Sequence, residues 1–451
     1  MLLLEKVFEI INNSGLDYCI QNKYEIMPEK IPSDIDMMYR NASEADLDKI
    51  VQKIAKETEL LITQKIVQSH YEFTYILSYP VPNSFFQLQL DFYETVSFGK
   101  FWNVVPGKDL LDNKRFYKCF FIPSPYDELR YLWIRRTIKN KIDYSYIEQS
   151  KQLIEQIPNY HQHLKENFGN ELANIIVEII KTENLDLFVD KYQLFFNKVM
   201  EISKMNINVL FWLKHFLFRI SKYYPERVLR MCGMSIALLA PDGAGKSTVI
   251  KGISDTCLGS FYGIEHRYFR PRKFKNLGSY NRVNFKGEAV ANDDPHGKKL
   301  HGVIKSLLRF LFYNLDFLFG YLLDINKLKM QKKLIIFDRY YYDYFVDMER
   351  YQYRLPKCFP AIFQFMIPNP DLVLILDAPA EIMYSRKKEL PLSELGRQRE
   401  GYLKLQKKVK HVVVINADQP IKKVIEDATQ VIIERQADRI KRILKCEREK
   451  H

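Results

Sequence analysis

The run Ala240-Pro241-Asp242-Gly243-Ala244-Gly245-Lys246-Ser247-Thr248 has the residue types, in the order, that a loop needs to hold a triphosphate. Glycines let the backbone close around phosphate oxygens, a helix opening at the end of the loop presents free N–H groups, and a lysine reaches the outer phosphates. Gly243 and Gly245 are the wrapping positions, Lys246 serves the β- and γ-phosphates, and the Ser247 hydroxyl is placed for Mg2+ with Thr248 beside it. Pro241, Asp242 and Ala244 complete the cradle. Ala240 stands where the pattern begins with another glycine, so that position is expected to keep a negative φ. The chemistry implied is transfer of the terminal phosphoryl group of a magnesium-bound nucleotide, most simply ATP.

A second apolar run, Lys333-Leu334-Ile335-Ile336-Phe337, ends in Asp338 and Arg339. In an open parallel sheet the carboxyl ends of strands face the ligand. Asp338 is suited to hold Mg2+ through water, and Arg339 to face an anionic acceptor or the group in transfer. A third strand, Asp371–Asp377, precedes a helix carrying Arg386, and a helix from about Ser393 carries Arg397 and Arg399. Residues two apart cannot share a helical face, so at most one of Arg397 and Arg399 is expected to enter the site. Because Ala244 occupies a loop position where an arginine could sit, neutralising the transition-state charge falls to arginines on a mobile lid. A last strand, Val412–Ile415, runs into a turn where Asp418 could border the adenine.

A separate set of acids lies near the N-terminus. Asp34 and Asp36 are two apart on a predicted strand, so both carboxylates project from one face, and Asp91 lies on the polar side of a later strand, Phe85–Tyr93. Three acids on neighbouring strands can hold two cations while a triphosphate is cleaved in line.

The elements that must position these groups fall into three stretches: residues 1–122, an α+β pattern; 123–230, helical; and 231–451, the phosphate-binding half. The first contains a helix to Asn13, strands at Tyr18–Ile20, Ile35–Tyr39, Tyr71–Leu77 and Phe85–Tyr93, and a helix Glu44–Glu57. Ser124-Pro125-Tyr126-Asp127 marks the start of the helical stretch, with Ser124 as cap. Val209–Ile220 and Val303–Leu323 are the most apolar segments, but Lys214, His215, Arg219, Lys305, Arg309 and Asp316 interrupt them, so buried or inter-domain helices are expected rather than membrane spans.

With 451 residues, 47% hydrophobic and 27% charged, the chain is composed like a folded protein of more than one domain. Its +13 net charge suits a polyanion, a membrane surface or a phosphate-rich site without choosing among them. Six scattered cysteines indicate neither a disulfide framework nor a zinc site, and a reducing cytoplasm is the expected setting. The first helix, with Glu5 and Glu9 in its apolar pattern, does not read as a signal peptide.

Three segments together, the Pro241–Thr248 loop, the strand ending in Asp338-Arg339-Tyr340, and Pro370–Arg386, resemble the thymidylate kinase family over about 200 residues, reaching the Asn416–Pro420 turn. The resemblance implies a doubly wound parallel sheet, ATP and Mg2+, phosphate contacts from Lys246 and Arg339, an acceptor-side role for Asp242, and a lid around Arg386 to Arg399. Where that family has an arginine-glutamate-proline signature, this chain has His266-Arg267-Tyr268-Phe269-Arg270-Pro271-Arg272, and Tyr341-Tyr342-Asp343-Tyr344 replaces the residues expected near thymine. The insertion Lys273 to Lys299 could cover an acceptor larger than a nucleotide, and the chain resembles the thymidylate-kinase-like proteins associated with bacterial surface polysaccharides, with thymidylate as one candidate acceptor. The N-terminal acids resemble those of the nucleotidyltransferase superfamily, except that Gln21-Asn22-Lys23-Tyr24-Glu25 stands where its Gly-Ser turn would be.

The expected architecture is therefore α/β: a C-terminal P-loop doubly wound parallel sheet, preceded by a nucleotidyltransferase-like α+β domain and a helical connector. The expected function is a P-loop kinase acting on a nucleoside monophosphate or a sugar or glycan hydroxyl, without an integral membrane span and with a homodimer left open. Two alternatives stand beside it: an active N-terminal nucleotidyltransferase with the P-loop half as sensor, and an ATP-regulated nucleic-acid-binding protein resting on the charge and the basic Arg435–Lys450 tail.

Overall fold

A computed structural model describes residues 2–79, 86–98, 102–106, 108–205, 209–274, 300–356 and 358–448. Most of the Lys273–Lys299 insertion lies outside the described residues. The chain forms two compact units, one of Met1–Leu60, Lys65–Leu77 and Leu88–Tyr224, the other of Leu61–Gln64, Ser78–Gln87 and Pro225–His451.

The first unit is built on a mixed sheet of β1 (Asp17–Ile20), β2 (Ile35–Arg40), β3 (Leu61–Ser69), β4 (Glu72–Tyr79) and β5 (Phe86–Tyr93), in the order β1-β2-β5-β4-β3. β2 pairs antiparallel with β1 and parallel with β5, and the parallel register sets Asp36 opposite Asp91. Alternation in β5 is clean, with Leu88 and Leu90 fully buried and Gln87, Gln89 and Asp91 on the other face. β3 has no counterpart among the predicted strands. Its Thr63, Gln64 and Lys65 are polar yet at most 5% exposed, so the strand carries no hydrophobic alternation to read. Two hairpins follow, β6 (Thr95–Phe98) with β7 (Trp102–Pro106) and β8 (Arg115–Tyr117) with β9 (Phe120–Ile122).

The helix Pro125–Lys139 opens as its sequence predicts, with the Ser124 hydroxyl accepting from the Asp127 N–H at 3.2 Å. Helices Tyr144–Glu155 to Tyr192–Met205 pack around Trp133, which stacks on Phe195 with ring centroids 5.9 Å apart. Cys19, Met38 and Tyr93 from the sheet belong to the same buried cluster as Leu129, Trp133 and Ile176, so the helical stretch shares a core with the strands. Leu213, Phe216 and Leu217 on the helix Val209–Phe218 are exposed, so of the expected buried or inter-domain placements this helix is not fully buried.

In the second unit, β10 (Met234–Leu239), β11 (Ile264–Tyr268), β12 (Leu334–Asp338), β13 (Leu372–Asp377) and β14 (Val412–Asn416) form a wholly parallel sheet ordered β11-β12-β10-β13-β14. The central strand β10 is buried at every position, as a strand covered on both faces must be. Ile236 and Leu238 face the helices Lys246–Cys257 and Ile421–Arg448, while Ala237 and Leu239 face the aromatic side of the helix Val303–Gly320. Two-faced cover makes the sheet doubly wound. The segment Val303–Met330 is long and apolar enough to cross a membrane, yet its Phe310, Tyr313, Asn314, Asp316 and Phe317 are buried in the unit.

Glu128, on the Pro125–Lys139 helix, is 1% exposed. Tyr24 Oη and Gln149 Nε2 both donate to its Oε1, at 2.6 and 3.0 Å, and Oε2 is buried without a partner. Burial, against the pull of those two hydrogen bonds, raises its pKa to about 7. The fold thus prefers the protonated acid, and the stability it contributes is complete below the ordinary glutamate range and lost as pH rises through about 7. A shift of that size corresponds to about 3 kcal/mol. Chemical denaturation at stepped pH is expected to show Glu128→Gln removing part of the decline between about pH 5 and 8; an unchanged decline would assign it to other groups.

Candidate active site

The phosphate loop leaves the carboxyl end of β10 and enters the helix Lys246–Cys257. Gly243 and Gly245 have φ of +85° and +87°, a conformation that disfavours any side chain, and Ala240 is not among the positive-φ residues, as expected. Gly243 has a second constraint: a Cβ there would lie 2.3 Å from the Met383 carbonyl oxygen of the helix Ala380–Arg386. Lys246 is folded back on the loop, donating to the carbonyls of Ala240 at 2.9 Å and Pro241 at 3.2 Å. Burial and the neighbouring Arg339 lower its pKa to about 8, opposed by Asp242, Asp338 and Asp343. Ser247 and Thr248 are exposed at the start of the helix.

Arg339 follows β12 with φ of +68°, an uncommon conformation for a residue with a side chain, and its N–H donates to the Leu238 carbonyl at 3.0 Å. Its guanidinium, 3% exposed, reaches Asp242 at 2.6 Å, Asp343 at 2.9 Å and Tyr402 Oη at 3.3 Å. Arg350 holds the other oxygen of Asp242. Burial would raise the Asp242 pKa, but Arg339, Lys246 and Arg350 outweigh it and keep the carboxyl far below the ordinary range. Asp242 is therefore an anion that organises cations, not a group that exchanges protons near neutral pH.

Asp338 Oδ1 is buried and has no hydrogen-bond partner. An orphaned carboxylate oxygen at the carboxyl end of β12, with the Ser247 hydroxyl open at the neighbouring helix start, fits a hydrated divalent cation.

The arginines expected on a lid occupy distinct places. Arg386 is exposed and donates to the Ala417 carbonyl at 3.3 and 3.4 Å, beside the turn that bears exposed Asp418. Arg397 pairs with Glu394 at 2.6 Å and donates to the Val346 carbonyl at 2.9 Å. Arg399 makes a two-pronged contact with Asp377, at 2.6 and 2.9 Å, at the end of β13. In the segment after β11, Arg270 forms a fully buried pair with Asp316, which also accepts from the N–H groups of Arg272 and Phe274. Tyr340, Tyr341 and Tyr342 are buried and donate to Pro368, Pro360 and Asn369, so the tyrosine run is core while Asp343 alone turns to the site.

Arg350, Asp347 and Gln398 carry no motif and were not singled out from the sequence. A charged pair inside Met348-Glu349-Arg350 was the only available signal.

In the first unit the three predicted acids come together, with ligand oxygens of Asp34, Asp36 and Asp91 all within 4.8 Å of one another. Lys23 pairs with Asp34 at 2.5 Å and donates to Ser33 Oγ at 2.8 Å; Arg135 and Asn22 reach Asp36 at 3.2 and 3.1 Å. Asn22 and Lys23 belong to the segment Gln21–Glu25. Burial raises the Asp91 pKa, with Thr74 and Gln89 opposing and Asp36 and Asp34 adding to it.

No family model matches the chain. A curated relative, "Probable thymidylate kinase 1" of Saccharolobus solfataricus, is 34% identical over 116 residues, which is 24% of this chain and 58% of the relative, less than two thirds of its length. Among solved structures, the thymidylate kinase of Ehrlichia chaffeensis aligns over 44% of this chain and 98% of its own at 19% identity, with a TM-score of 0.29. The chain is thus similar to a thymidylate kinase over a limited stretch.

Proposed function

We propose that the 231–451 half is an ATP- and Mg2+-dependent kinase of the thymidylate-kinase-like class. It moves the γ-phosphoryl group to an acceptor, a nucleoside monophosphate or a sugar or glycan hydroxyl, in a cytoplasmic setting. The observation that carries this reading is the convergence of Lys246, Arg339 and Arg350 on Asp242 beside a phosphate loop at the ligand end of a parallel sheet. Lys246, now spending its charge on loop carbonyls, turns to the β- and γ-phosphates when they fill the cradle. The free N–H groups of the helix start and the loop backbone bind the phosphates, and Asp418 borders the base. Arg339 stabilises the transferring group, held in place by Asp242 and Asp343. Arg386 lies beside the Ala417 turn on the base side, and Arg397 enters the site by leaving Glu394. Asp338 and Ser247 would hold the metal, which when bound would neutralise charge developing on the phosphates.

A second reading belongs to the first unit, favoured by the three gathered carboxylates. Lys23 and Arg135 place positive charge on them, as stand-ins for divalent cations, so the donor set fits a metal-assisted nucleotidyl transfer. Asp34, Asp36 and Asp91 would hold the ions.

Lys246→Ala is expected to weaken binding of Mg-ATP by about 100-fold, the scale of one strong charged contact, in a chain that remains folded. Calorimetry showing equal affinity would end the kinase reading. Because Lys246 titrates near 8 when phosphate is absent and phosphate favours its charged form, affinity should be highest below that pH. Above it, binding should fall by up to about tenfold per unit. A flat profile to pH 9.5 or so would place the proton elsewhere. For the first unit, Mn2+ titration followed by electron paramagnetic resonance should find ion sites that Asp34→Asn with Asp36→Asn removes, leaving Lys246-dependent nucleotide binding intact; sites unaffected by the double change would contradict the second reading.

A further inference from the structure

The helix Leu392–Lys404 and the phosphate loop are joined by a chain of side-chain contacts that runs through Arg350. Gln398 Nε2, on that helix and fully buried, donates to Asp347 Oδ2 at 3.1 Å. Arg350 donates to the same carboxylate from Nε at 3.2 Å, and from its backbone N–H to Oδ1 at 3.2 Å. The far end of the same guanidinium grips Asp242 in the loop. A second chain reaches Asp242 from the same helix through Tyr402, whose hydroxyl donates to Asp343 at 3.1 Å and accepts from Arg339 at 3.3 Å. Asp343 and Asp347 are consecutive turns of one segment, linked by the Asp347 N–H to the Asp343 carbonyl at 2.7 Å.

We propose that Arg350 is a positioning residue that transmits the seating of the Leu392–Lys404 helix to Asp242, and through Asp242 to Arg339 and Lys246. The inference rests on the kinase reading for its purpose, and not for its test.

The physical reason lies in guanidinium geometry. Arg350 spans two carboxylates at once because its donors point from a rigid planar fork; an ammonium group is a single point of charge and can serve one of them. Its side chain is 12% exposed, and that of Asp347 is 1% exposed, so neither end of the bridge is easily replaced by water. When the helix is seated, Gln398 holds Asp347, Asp347 fixes Arg350, and Asp242 is kept between two guanidiniums. When the helix swings away, Asp347 loses the Gln398 donor and is held by Arg350 alone on this path, so the guanidinium that reaches Asp242 is positioned less firmly. The carboxylate in the loop thus registers whether the helix bearing Arg397 and Arg399 has closed. Arg350 itself touches neither reacting atom in this scheme.

Hydrogen–deuterium exchange on the full chain, without nucleotide, tests the bridge directly. Arg350→Ala is expected to speed exchange about tenfold, the equivalent of a 1.4 kcal/mol opening, in both residues 392–404 and residues 240–246. The helix Val303–Gly320 serves as an unaffected control. Arg350→Lys should behave like Arg350→Ala, since charge alone does not span the gap. Gln398→Leu, which changes only the helix end, should be felt in the loop. Loop exchange unchanged in Gln398→Leu would overturn the proposal, as would wild-type behaviour of Arg350→Lys. Where transfer is measurable, Arg350→Ala should lower kcat about tenfold with the nucleotide KM within about threefold, whereas a purely structural role would move the unfolding midpoint and leave that split absent. Failure of Mg-ATP to bind the wild-type chain would sink the kinase reading while the exchange result stood on its own.

Discussion

One carboxylate, that of Asp242, carries the organisation of the second unit's site. It sits between the guanidiniums of Arg339 and Arg350 with the Lys246 ammonium 3.9 Å away, and all four side chains are nearly excluded from solvent. Removing charges from water is costly, and such a cluster persists only where each charge has a partner and a hydrogen bond. Asp343 answers Arg339 and Asp347 answers Arg350, so the cluster is close to neutral without ligand. The three cations are thus already desolvated and held in place by fixed acids before anything binds.

That cluster depends on the sheet beneath it. β10 and β12 are parallel neighbours in register from Met234 with Leu334 to Leu238 with Asp338, so the loop after one strand and the acid and arginine after the other emerge side by side. The turn at Arg339 costs backbone strain of the kind found at working sites, and its N–H is tied to Leu238 in compensation. At the opposite end of the strands Asp371 accepts from the Ser235 N–H at 2.8 Å and pairs with Lys329 at 2.8 Å, pinning β13 to β10.

The first unit applies the same principle with strand periodicity instead of a helix start. Side chains two apart on β2 share a face, and the parallel register with β5 sets Asp91 beside them. Mutual repulsion among three acids is relieved by Lys23 and Arg135 and by donors from Asn22, Thr74 and Gln89. These groups come from four separate stretches of the chain, at positions 22–23, 74, 89 and 135.

What could be read without coordinates was whatever is local in the chain. The loop from Ala240 to Thr248, the strands ending in Asp338 and Asp377, the cap at Ser124, and the same-face spacing of Asp34 and Asp36 each follow from a few neighbouring residues, because backbone conformation and side-chain direction are set at that range. β3 was invisible for the same reason, since its buried Thr63, Gln64 and Lys65 conceal the pattern by which strands are recognised. Arg350, Asp347 and Gln398 belong to no motif, and their meaning comes from being folded onto Asp242, which is 108 positions away from Arg350 in the chain. Nor could spacing reveal that Arg399 would turn to Asp377, or that Arg270 would be locked on Asp316. Which carboxylate an arginine meets is decided by through-space distance in a poorly screened interior, and only the tertiary structure supplies that distance.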